Sequence, residues 1–431
     1  MLAAKVQQTQ IGGRASNKHA GTTGLGRSTM IRILFAAICG LLALDLANAQ
    51  TASEAVRIGV LNDMSGVYSD DQGPGSLLAA QMAVEDHGGK AAGRNVEVVS
   101  GDHQNKTDLG AQIARKWTEN EGVGMIIDVP NSAIALAVNE IVRDRNKVLI
   151  GSGAGTALLT GEKCSPNTVH WTYDTWSYGH GLARAIAGQG VKSVFFITAD
   201  YAFGHDLEKQ FADEIVKQGG KVIGSARHPI GTSDFSALLV QAQSSGAEAV
   251  ALANAGGDTS NSLKQANEFG LGKRQKLLAL IMGQNSVRAL GLPTSQGILV
   301  MLPFYWDMND ATRAFAQRFA ERHAKRNMPN DMQAGVYAAV RHYLKAVDKV
   351  GGATDGKAVV AAMKAMPTDD PLFGQGTIRP DGRKVHPMYL FQVKSPDESK
   401  GPWDVYKVVA TIPADQAFRP LREGGCPLVT Q

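Results

Sequence analysis

Four histidines lie close in sequence to carboxylates: His103 beside Asp102, His170 and His180 around Asp174, and His205 near Asp200. Imidazole with carboxylate is the material of proton transfer or metal binding. No pair has the His-Glu-x-x-His spacing that sets two ligands on one helical face, so the pattern argues against a metal centre and against catalysis. A second candidate, Gly151-Ser152-Gly153-Ala154-Gly155, imitates a dinucleotide-binding turn. Thr156 stands where that turn needs its last glycine, and the stretch follows a late strand instead of the first. It also lacks the spacing of an esterase nucleophile elbow. Neither an enzyme nor a cofactor is expected.

The third chemical group is the thiol. The chain has three cysteines, Cys39, Cys164 and Cys426. Cys39 falls in an uncharged apolar run, Ile33 to Leu44, preceded by Arg32 and followed by Ala47-Asn48-Ala49. A membrane-spanning helix needs about 20 apolar residues, so the run reads as a secretory signal within residues 30–49 of a leader covering 1–49, with cleavage after Ala49. Lipidation at Cys39 is the alternative, disfavoured by the bulky Ile38 before it, and translation starts at either Met1 or Met30. Export into an oxidising compartment leaves Cys164 and Cys426, an even count that implies one disulfide. The leader also accounts for the charge: it holds Lys5, Arg14, Lys18, Arg27 and Arg32 against Asp45, a net +4, which equals that of the whole chain. The mature part is neutral, so nucleic-acid binding has no electrostatic support.

The elements that must position any site alternate regularly. Strand-like Val56 to Leu61, Asn95 to Ser100, Val123 to Val129 and Lys147 to Ile150 are separated by helical Gly75 to His87, Asp108 to Glu121 and Ser132 to Arg143. Continuous apolar runs alternating with helices imply a parallel sheet covered on both faces. Asn167 to Gly179 is aromatic and lacks helical periodicity, and the grammar then restarts with strands at Val191 to Thr198, Lys221 to Ser225, Glu248 to Ala253 and Lys276 to Met282. An aromatic stretch, Gly297 to Asp307, a long helix, Gln333 to Val350, and hairpin-like pieces near Asp381-Gly382 and from Trp403 to Ile412 complete the chain. The fold class is α/β: two doubly wound lobes, with a ligand cleft beyond the carboxyl ends of their strands.

Several pieces, in this order, resemble the type I periplasmic solute-binding proteins of ABC importers, the branched-chain amino acid receptor group. They are Ile58-Gly59-Val60 with Met64-Ser65-Gly66, Ala83-Val84-Glu85-Asp86 with Gly88-Gly89, Ala199 to Gly204, Thr232 to Ser236 and Gln333 to Tyr337. The resemblance implies a three-segment hinge, with crossings near 171–176, 303–307 and 368–374. One lobe would comprise 54–172 plus 306–369, the other 173–305 plus 370–431. It further implies capture of a small solute by hinge closure, delivery to ABC permease subunits at the membrane, and a monomer; a sensor for a signalling receptor is the alternative.

On that resemblance, the first lobe offers Ser65, Tyr68, Asn131, Ser132, Gly153, Ala154, Gly155 and Thr156 as ligand contacts, with Ser132 otherwise a helix cap. The second offers Tyr201, Phe203, Ala255, Gly256, Asp258 and Asn285, with Trp176, Tyr305, Tyr68 and Tyr173 as aromatic walls or hinge packing. The group's amino acid receptors place an acid near Gln284-Asn285 and a tyrosine near Ala255-Gly256, and this sequence has neither. Neutral Asn285 cannot balance a buried ammonium. The expected ligand is therefore a small carboxylate, such as an aromatic acid, with an amino acid as the alternative if Asp258 supplies the missing charge.

Overall fold

The computed structural model describes residues 55–430; the expected signal peptide, its expected cleavage site and Cys39 lie outside the described residues. The first lobe runs β1 (Val56–Asn62), α1 (Gly73–Asp86), β2 (Lys90–Ala91), β3 (Arg94–Asp102), α2 (Thr107–Asn120), β4 (Val123–Asp128), α3 (Ser132–Asp144), β5 (Val148–Gly151) and β6 (Thr168–His170). Its sheet has the order β2-β3-β1-β4-β5-β6, and β1 pairs in parallel with both β3 and β4. β1 is apolar almost throughout because both faces are covered. One face meets Trp117 of α2: a Cβ at Gly59 would stand 2.5 Å from its ring, so glycine there lets the helix lie flat on the sheet.

The second lobe runs α4 (Thr175–Gly188), β7 (Ser193–Ala199), α5 (Ala202–Lys217), β8 (Lys221–His228), α6 (Ser236–Ser244), β9 (Ala249–Ala253), α7 (Gly257–Glu268), β10 (Lys276–Ala279), α8 (Gln284–Leu290), α9 (Leu292–Ser295) and β11 (Leu299–Leu302). The parallel order is β10-β9-β7-β8. The chain then returns to the first lobe as α10 (Asp310–Arg322), α11 (Asp331–Val350) and α12 (Gly356–Lys364). It makes a short hairpin, β12 (Thr377–Ile378) and β13 (Lys384–Val385), and finishes with β14 (Met388–Val393) and β15 (Tyr406–Ile412), antiparallel beside β11.

The two lobes have separate cores. Trp171 packs in the first and Tyr173 in the second, and Phe304 and Tyr305 divide likewise. At the third passage Leu372, Phe373 and Ile378 still belong to the first core and Met388 to the second, so the chain crosses after 378, later than the expected 368–374. Phe373 explains the delay, since its ring packs 6.0 Å from that of Phe304. The aromatic stretch at 167–179 also differs from expectation, for α4 begins inside it. Asp174 caps that helix reciprocally with Ser177, and the first turn is buried on every side, so it carries no amphipathic signal.

Buried charge holds the crossings. Arg383 is fully buried, donates to the Tyr173 carbonyl at 2.9 Å and lies 3.5 Å from the Asp174 carboxylate. Burial lowers its pKa to about 10, against the pull of Asp174. The expected disulfide joins Cys164 to Cys426, with Cα atoms 5.6 Å apart. Arg419 reinforces it by donating to the Ala157 carbonyl, pinning the C-terminal tail to the loop after β5.

Candidate ligand-binding cleft

Loops at the carboxyl ends of both parallel sheets face one another and enclose a cavity of about 30 Å³. That is room for roughly two water centres. The loop after β1 is shaped by Asp63, whose carboxylate accepts from the Gly66 and Tyr68 amides and from Asn105 Nδ2. This turn aims Tyr68 across the cleft, where its hydroxyl lies 2.6 Å from that of Tyr201, the N-cap of α5. Tyr173 enters from the first crossing and donates to the Gly153 carbonyl at 2.9 Å. β4 ends in Asp128 (φ 83°) and Val129 (53°) follows it, both non-glycine residues with positive φ, and Pro130 just after them lines the cavity.

Of the expected contacts, the structure gathers Tyr68, Gly153, Tyr201, Phe203, Ala255 and Gly256 around this cavity. The others serve the walls. Asn131, not Ser132, is the side chain that caps α3, accepting from the Ala133 and Ile134 amides. Ser132 Oγ accepts from the Thr156 amide, and Thr156 Oγ1 donates across the lobes to Asp206 of α5 at 2.7 Å. Ala154 and Gly155 act through their carbonyls, which accept from His170 and from the Thr175 amide. Ser65 is exposed and donates to Asp102. Asp258 accepts from the Gly231 amide through both oxygens, a tie to the neighbouring loop. Trp176 stacks on His180, and the Tyr305 hydroxyl donates to the Trp403 carbonyl within the second core.

The histidines do not converge. His103 and His180 are each held at about 4 and His170 at about 3, in every case chiefly by burial, and His205 pairs with Asp200 at the surface.

The residues that sequence reasoning missed are acidic or amide. Asp71 lines the cavity with Gln72, Gly283 and Met332. Its backbone carbonyl accepts from Asn330 Nδ2 at 2.6 Å, while Asn285 Nδ2 donates to the Asp70 carbonyl at 2.6 Å and reaches Asp71 Oδ1 at 3.3 Å. Gln72 gives its amide nitrogen to the Met332 sulfur, and its Oε1 has no partner. Behind them Asp128 accepts from Asn62 and Ser152, and Asp331 from the Tyr178 hydroxyl. Burial pushes Asp71 and Asp128 up to about 6 and Asp331 to about 7. No arginine, lysine or histidine lines the cavity.

The position near Gln284-Asn285 lacks an acid, as read, and Asp258 is not among the residues lining the cavity; the carboxylate there is Asp71. Asn285 is neutral as read, but it is a hydrogen-bond donor to the loop that carries the acid, and the acid comes from the opposite lobe. The only sequence signal was the run Asp70-Asp71-Gln72 before a Gly-Pro-Gly helix start, which reads equally well as a solvated turn.

Residues 55–402 match a family model described as periplasmic binding protein. A solved periplasmic binding protein from Burkholderia mallei is 49% identical, covers 88% of this chain and 100% of its own, and superposes with a TM-score of 0.85. One from Burkholderia xenovorans LB400, described as a branched chain amino acid ABC transporter periplasmic ligand-binding protein, is 42% identical over 86% of this chain and 99% of its own, with a TM-score of 0.76. Leu/Ile/Val-binding protein homolog 6 of Brucella abortus (strain 2308) is 26% identical over 372 residues, 84% of this chain and 93% of its own.

Proposed function

The chain belongs to the periplasmic binding protein family, whose members are solute-binding receptors of ABC transporters and not enzymes, and on that premise we propose that it captures a small solute bearing a protonated amine, an amino acid being the simplest. The observation that carries this reading is Asp71, a buried carboxylate on a cavity with no cation of its own. An uncompensated buried charge is costly, and an ammonium in the cleft would offset that cost while a carboxylate would add to it. Tyr68, Tyr201 and Phe203 supply the remaining walls. The loaded form then delivers its cargo to permease subunits at the membrane from the periplasm, acting as a monomer; among the described residues no helix is long and apolar enough to cross a bilayer.

A second reading, an aromatic acid held by the tyrosine hydroxyls, is favoured by the three rings of Tyr68, Tyr173 and Tyr201 on one cavity. Calorimetry at two pH values separates them. An amine needs ionised Asp71, so its affinity falls as pH drops below about 6, by up to about tenfold per unit. A carboxylate needs Asp71 neutral, so its affinity falls as pH rises through the same range. Titrations of amino acids and of benzoate at pH 5.0 and 7.5 test the proposal; binding of benzoate alone, tighter at pH 5.0, would refute it.

A further inference from the structure

Two glycines sit on opposite sides of the cleft, and each receives a group from the other lobe. A Cβ at Gly155, in the loop after β5, would stand 2.6 Å from the ring of Phe203 on α5. At Gly256, before α7, it would stand 2.4 Å from the Val67 carbonyl oxygen and 3.0 Å from the Tyr68 ring. The neighbouring Gly257 amide donates to that same Val67 carbonyl at 3.1 Å. Neither obstacle yields cheaply: one is backbone, and the other is a buried ring at the start of a helix. Gly256 and the Phe203 ring seated on Gly155 line the same cavity of about 30 Å³, as do Tyr68 and Tyr201, whose hydroxyls meet at 2.6 Å.

We infer that Gly155 and Gly256 determine specificity by setting how far the lobes close, and so restrict the cargo to a solute of a few heavy atoms. The inference rests on the cleft being the cargo site, but it concerns size and is independent of the cargo's charge. A methyl group at either seat needs roughly 1 Å more separation to restore ordinary van der Waals contact. That change lies in the two walls that touch each other, so it widens the cavity without removing any polar group from it. A wider cavity leaves a very small solute out of contact with one wall and gives a longer one room.

Gly155→Ala is the cleaner variant, because Gly256 has φ +58° and an alanine there is also strained in its own backbone. The test is calorimetric titration of wild type and both variants with glycine, alanine, 2-aminobutyrate and norvaline, and in parallel with acetate, propionate, butyrate and pentanoate. Whichever series binds reports the charge reading; the rank within it reports size. Wild type is expected to prefer the two shortest members, and the variants to lose about tenfold or more for these but less for the longest. Tighter binding of the longest member by wild type, or an equal loss along the whole series in Gly155→Ala, would overturn the inference. A ligand-independent check is the crystal structure of Gly155→Ala, in which the Tyr68 to Tyr201 separation should grow from 2.6 Å by about 1 Å. An unchanged contact would also overturn it.

Discussion

Replacing Asp71 by asparagine should stabilise the protein and disable it. The carboxyl is held at about 6 in the folded chain against 3.8 when free, and burial is the main cause. Because the folded value lies above the unfolded one, the group's contribution to stability is intact below about 3.8 and is lost as pH rises through about 6. At pH 7.5 the whole difference is felt, and it amounts to ~3 kcal/mol of destabilisation. Asparagine has nearly the same shape and keeps an oxygen for Asn285 Nδ2 while carrying no charge. Asp71→Asn should therefore gain ~3 kcal/mol at pH 7.5, about 3 to 5 °C in melting temperature for a chain of this size, and nothing at pH 4. Scanning calorimetry of both proteins between pH 4 and 8 reads this directly. The wild-type curve should fall as pH rises, the variant's should fall less, and amine binding should be lost. A variant less stable than wild type at pH 7.5 would refute the reasoning, because it would mean the ionised carboxylate is already well compensated.

Three further outcomes follow from the same structure. Reducing the Cys164–Cys426 disulfide, which spans 262 residues, should lower stability by up to ~5 kcal/mol in the chain-entropy model; an unchanged melt under reductant would contradict this. Tyr68→Phe removes one partner of the hydroxyl contact across the cleft and should weaken cargo binding by ~1 to 2 kcal/mol, with Tyr201→Phe adding little in the double variant. Titration of the two single variants and the double one checks it, full additivity counting against a shared contact. Arg383→Met strands the buried Asp174 carboxylate and should cost ~3 to 5 kcal/mol in denaturant unfolding, part of it recovered by Arg383→Met/Asp174→Asn; no recovery would show that Arg383 acts through packing on Phe418 instead.

The sequence by itself determined the architecture. Strands such as Val56 to Asn62 are mostly apolar, the helices between them start and stop at caps and glycines, and these are local signals. The cysteine pair was legible for a different reason, since two thiols in an exported chain have only one partner each. Tyr68, Tyr201 and Phe203 could be named because doubly wound sheets present their binding loops at predictable strand ends. Tertiary structure alone decided the charge of the cleft. Asp71, Asp128 and Asp331 come from three distant stretches: in sequence the first lies in a run of turn-forming residues, the second near the end of a strand, and the third just ahead of the expected long helix. They become a common field only when α11 returns to pack beside the loop after β1, and burial, a property of the whole packed chain, is what raises their pKa values. The glycine seats were hidden in the same way: Gly155 and Gly256 look like any turn glycine until the opposite lobe is placed against them.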